Sequence, residues 1–167
     1  MEPLTGIPQL DEVLSRLTSI QSRDEHDAVM EELFRIAPNH VEALNSLYDL
    51  GTYQNMSLVW CLIGQTSEQA MALFSKAIKD KDQYTRWAAA KALSEFRTRD
   101  ASSLLVAALK DRSHLVKLTA VDAMSTFRDP QAVPQLEKIC ASKHLQKNAP
   151  GIVSSAKKAL RICRRAR

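Results

Sequence analysis

Residues 73–100 read LFSKAIKDKDQYTRWAAAKALSEFRTRD, and residues 104–131 read LLVAALKDRSHLVKLTAVDAMSTFRDPQ. Offset by 31 positions, the two align over 28 residues without a gap. Ala77 falls on Ala108, Ile78 on Leu109, and Lys79-Asp80 on Lys110-Asp111. Further along, Ala89 falls on Ala120, Ala92 on Ala123, Leu93 on Met124, and Phe96-Arg97 on Phe127-Arg128. The apolar residues return every three or four positions, the period of a helix with one buried face. Chance gives any two amphipathic helices some likeness, but it does not repeat the Lys-Asp punctuation in the same register. Each unit therefore predicts a shorter helix, a tight turn at the Asp, an Ala-rich second helix, and a turn closed by Arg-Asp or Asp-Pro. A lone helical pair leaves one face bare, so neighbouring pairs must stack into a continuous core.

Working outward, a third copy begins at AVPQLEKICAS from Ala132 and resumes at SSAKKALRIC from Ser154, after about five extra residues around Lys147. Upstream the repeat fades, although Leu47, Asp49, Val59 and Leu62 keep their places. Further helical spacing runs through Leu10, Val13, Leu14 and Leu17, then Val29, Leu33, Phe34 and Ile36. Segments of helical pattern alternate with short polar turns, which predicts about ten helices.

The pattern KD, then Arg86 or Lys117, then an alanine-rich AAxAL-type stretch, then FRD-P resembles the HEAT-like repeat of the short, bilin-lyase type. Ser94 and Ser125 stand where that repeat would have Gly. The stretch APNHVEALNSLYDLG from Ala37 is closer in flavour to a tetratricopeptide first helix, another α-solenoid unit. The expected fold is all-α: a right-handed α-solenoid of about four to five HEAT-like helical pairs. It is read as a single domain over 1–167, with divergent repeats in 1–65 and clear ones in 66–167.

The chain has 167 residues, 45% of them apolar and 5% aromatic, enough for one domain with a sizeable core. Its longest apolar run, Leu58 to Ile63, is too short for a membrane span, and no secretory pattern opens the sequence. Three widely spaced cysteines (Cys61, Cys140 and Cys163) argue against a disulfide framework and for a reducing, cytoplasmic setting. The net charge of +4 hides a gradient: −7 over residues 1–50, +3 over 51–142 and +8 over 143–167. Such poles are either solvated faces or attractors for partners of opposite charge.

No enzyme constellation emerges. The four histidines are scattered and form neither HxxxH nor HExxH, and no phosphate-cradling or nucleophile-elbow motif is present. The HEAT likeness raises deoxyhypusine hydroxylase, whose di-iron site uses His-Glu pairs. Here Asp27, Val41, Leu115 and Leu145 follow the histidines, so that activity is not expected. Neither a cofactor nor a metal is expected.

Three residue sets remain as candidates. Asp80 with Arg86, and Asp111 with Lys117, lie six apart. The Asp is expected to cap the following helix, and the base to pair with an Asp of its own or the adjoining repeat. This short ladder, with Asn55 in the base's place upstream, is the structural role the HEAT resemblance implies. On the second helices, Tyr84, Trp87, Ala88, Lys91 and Glu95 lie opposite the core alanines. One repeat later come Leu115, Leu118, Thr119, Asp122 and Thr126, and one repeat earlier Tyr53, Met56 and Trp60. These either pack on neighbouring helices or form an apolar-aromatic row on the inner surface. Tyr53, Met56, Tyr84, Trp87, Leu115 and Leu118, rimmed by Lys91 and Asp122, would then be a partner site. Lys157, Lys158, Arg161, Arg164 and Arg165 form a basic C-terminal helix. It serves the helix dipole, an acidic protein or nucleic-acid phosphates, with no aromatic residue nearby to stack bases. The leading expectation is a non-catalytic adaptor, assembly factor or chaperone-like scaffold that binds another protein. The alternatives are a bilin-lyase-like protein acting on a tetrapyrrole or its apoprotein, and a nucleic-acid binder like the HEAT-like DNA glycosylases. Membrane insertion is not expected.

Overall fold

A computed structural model describes residues 5–50 and 55–166, less the side chains of residues 18, 49 and 50. Eleven α-helices follow one another within those residues: α1 Pro8–Ser19, α2 Arg23–Ile36, α3 Val41–Leu50, α4 Asn55–Trp60, α5 Glu68–Ala77, α6 Gln83–Glu95, α7 Arg99–Ala108, α8 His114–Phe127, α9 Val133–Ala141, α10 Lys143–Asn148 and α11 Pro150–Arg165. Short 3-10 turns precede α3 and α9.

Local chemistry sets the helix ends. Ser22, Ser67, Asp82, Thr98 and Ser142 each accept a backbone N–H from the first turn of α2, α5, α6, α7 and α10. Pro150 opens α11, where its missing N–H costs nothing. Arg128 closes α8 in the left-handed region at φ 56°, with Asp129-Pro130 preventing continuation.

The helices pair as α1/α2, α3/α4, α5/α6, α7/α8 and α9/α11, which makes five pairs within the expected four to five. The second helices form one layer, with α4 on α6, α6 on α8, and α8 on α11, while α3 packs on α5 in the other layer. The extra residues of the last repeat fold as α10, a separate turn-and-a-half inserted between α9 and α11. One core runs from Leu10 to Cys163, with Phe74 and Phe96 meeting edge to face at 5.9 Å.

Two expectations about faces need correction. Ala88, expected on the outward face of α6, is fully buried, as are Ala89 and Ala90. A second-layer helix has a neighbour on either side and a first-layer helix beneath, so only a narrow strip of α6 meets solvent. Phe34, read as part of the α2 core stripe, is 40% exposed. The helix buries Val29, Met30, Leu33 and Ile36, and at ~100° per residue Phe34 turns off that stripe.

Candidate functional site

Between α2 on one side and α4 and α6 on the other lies an open cavity of about 540 Å³. Met30 and Phe34 of α2 form one wall; Met56, Trp60 and Trp87 form the other. The Trp60 and Trp87 rings lie 5.0 Å apart, tilted at 34°, within the range of aromatic contact. Lys91, one turn beyond Trp87, sets its Nζ 5.5 Å from the Trp60 ring centre and 6.0 Å from that of Trp87. The negative ring faces attract the ammonium at this range. His26, Asp27 and Glu31 edge the opening from α2.

The 31-residue offsets thus bring Met56, Trp87 and Lys91 together and add Trp60, which the offset also reaches. Leu118 is half-buried against the core, and Tyr84 and Leu115 are exposed near the starts of α6 and α8, outside the cavity. Tyr53 lies outside the described residues. Asp122 is exposed beside Lys91, Glu95 and Arg97 in a second, more polar groove between α6 and α8. Phe34 and Met30 were missed as site residues because no repeat offset connects α2 to the clear repeats. The available signal was Phe34 itself, an aromatic one position off its helix's apolar stripe.

The ladder residues do a different job from capping. Asp80 Oδ1 accepts the N–H of Asp82 and Asp111 Oδ1 that of Ser113, so both close a turn two residues before the N-cap of the following helix. The cap of α6 is Asp82, which takes the Thr85 N–H at 2.7 Å, and Ser113 caps α8 with no side-chain bond. Arg86 reaches Asp111 of the next repeat, and Tyr48 and Asn55 both donate to Asp80 Oδ2, at 2.6 and 3.0 Å. Lys117 makes no ion pair among the described residues. The position 31 after Asp111 is Ser142, which has no charge to offer.

On α11 the five candidate cations are exposed, and Arg164 pairs with Glu137 at 2.6 Å. Cys163 is buried and Cys140 partly so. Burial pushes both thiols up, and pushes Cys61 up to about 12.

The family model for HEAT repeats matches residues 58–149, from within α4 to the end of α10. The chain belongs to the HEAT-repeat family. No curated protein matches it. The match takes in α6 and α8, the HEAT-repeat helices that carry Trp87, Lys91 and Asp122, while α2 lies outside it. HEAT repeats stack to make extended surfaces, and such surfaces generally bind proteins.

Proposed function

We propose that this chain is a non-catalytic scaffold that holds a partner protein against the second-layer helices, at the cavity between α2, α4 and α6. The observation that carries this reading is a cluster of Trp60, Trp87, Met56 and Phe34 left partly exposed around a cavity whose lining also includes the buried Met30. Aromatic and Met side chains left accessible together cost solvation, and they are the residue types that dominate partner contacts. The acidic edge at Asp27 and Glu31 and the cation of Lys91 supply polar contacts around it. No helix among the described residues is long and apolar enough to cross a membrane. The free cysteines suit a reducing compartment such as the cytoplasm.

Site-specific photo-cross-linking tests the reading. A photoreactive side chain at position 34 should yield partner adducts, and one at exposed Ser103 on α7 should not. Adducts from Ser103 alone would refute the assignment. Nucleic-acid binding would instead use the exposed cations of α11 and show a steep loss of DNA affinity with salt.

A further inference from the structure

Three cavities, each sharing a lining residue with the next, mark out a track along the second-layer helices. Trp87 lines both the apolar cavity at α2 and the groove of about 430 Å³ between α6 and α8. Arg97 lines that groove and a third cavity of about 570 Å³ where α6 and α8 end. The two ends of the track differ in chemistry. The first is a hydrophobic pocket. The third presents Arg97, Arg99 and Arg128, all exposed and without an ion pair among the described residues. Its one carboxylate is already engaged: Asp129 accepts from the Ser102 hydroxyl at 2.5 Å and from the Gln131 N–H at 2.8 Å. The groove between is balanced, with Lys91 and Arg97 against Glu95 and Asp122.

Resting on the protein-binding reading, we propose that the occupant is an extended segment of the partner with a bulky apolar anchor at one end and anionic side chains at the other. The anchor enters the Met30, Phe34, Trp60 and Trp87 cavity. The anionic groups meet Arg97, Arg99 and Arg128, whose planar forks match carboxylate or phosphoryl oxygens in pairs. Spacing follows from helix rise. Trp87 lies eight positions before Glu95, the last residue of α6, roughly 12 Å at ~1.5 Å per residue, and Arg97 follows just past that end. An extended chain needs about four residues at ~3.3 Å each to span the helical part, and more to reach Arg97.

A random-peptide display selection on the full chain tests this, with Phe34→Ala and a combined Arg97→Glu, Arg99→Glu, Arg128→Glu variant as counter-screens. Circular dichroism confirms that both variants are folded. Enriched peptides should share a large apolar residue with acids about four to six positions away. Their affinity should fall at least tenfold on each variant. Resynthesis with phosphoserine in place of the acids separates the two anion sources by which form binds tighter. Peptides that need Phe34 but bind the arginine variant as well as the parent overturn this proposal and leave the protein-binding reading standing. Peptides indifferent to both variants, or no enrichment at all, overturn both.

Discussion

Arg86 holds Asp111 across the boundary between two helical pairs, with Nε 2.8 Å from Oδ2 and Nη2 3.1 Å from Oδ1. Its remaining amine, Nη1, donates to the carbonyls of Asp80 and Lys81 at 2.9 and 3.0 Å. A single guanidinium thus fixes its own turn and the next one. The two side chains are only 6% and 11% exposed, so water competes weakly for these bonds.

Removing the cation leaves a carboxylate largely buried without a counter-charge. Arg86→Ala should destabilise by about 3–5 kcal/mol, read as a lowered midpoint in urea unfolding. Arg86→Lys restores charge without the fork and should recover only part of that loss. Full recovery with Lys would mean the fork geometry carries no weight.

The same turn governs acid stability. Burial alone would raise the Asp111 carboxyl, but the Arg86 hydrogen bonds, the Ser113 N–H, and the charges of Arg86 and Arg112 outweigh it and hold it below the usual range. Asp80 is lowered likewise, against its burial, through Tyr48, the Asp82 N–H and Asn55. A carboxyl depressed in the folded state contributes stability above its unfolded value, near ~3.9, and loses it as pH falls through the folded value. Melting should change little between about pH 7 and 5 and then fall, with a shallower fall in Asp111→Asn. An unaltered acid limb in that variant would contradict the linkage.

Ala92 and Ala123 occupy equivalent places on α6 and α8 and are 1% and 5% exposed. Small side chains there let stacked helices approach closely. Leu at either position should cost roughly 1–3 kcal/mol through overpacking. Thermal melts of both variants decide this, and unchanged melting in both would place these alanines outside the packed layer.

The repeat register carried most of the fold. Ala77, Ala89, Ala92 and Leu93 and their partners 31 residues on are all buried as their spacing requires. It also brought Trp87 and Lys91 together beside Trp60, because residues on stacked helices inherit the repeat's offset. Phe34 was out of reach for the opposite reason: α2 has no repeat partner, and its exposure depends on how it sits against α4. The ladder was half legible. Residue types announced a turn at Asp80 and Asp111, but which Asp caps and which one receives Arg86 is decided by backbone geometry two residues apart.

The basic C-terminal helix is best tested by charge reversal. Deleting 161–167 would remove Cys163, which has no exposure and donates to the Met124 carbonyl at 3.4 Å, so truncation would open the core. Arg161→Glu with Arg165→Glu leaves that packing intact. If α11 steers a partner, association should slow and its salt dependence soften, with dissociation little changed. Stopped-flow mixing at two ionic strengths reads this directly.

Trp87 tests the site itself. It is half-buried, with its ring tilted against that of Trp60 and Lys91 over it, so it serves both fold and surface. Trp87→Ala should cost about 1–3 kcal/mol of stability, less than the ~3–5 expected of a fully buried large aromatic. Binding to the partner captured at position 34 should weaken by about 2 kcal/mol or more. Phe34→Ala separates the two roles, because its ring is exposed: stability should move by less than about 0.5 kcal/mol while binding still falls at least tenfold. Thermal melts and a partner titration on both variants give the answer. A Trp87→Ala protein that melts early and binds normally per folded molecule, beside a Phe34→Ala protein that binds normally, would show that the indoles are packing alone.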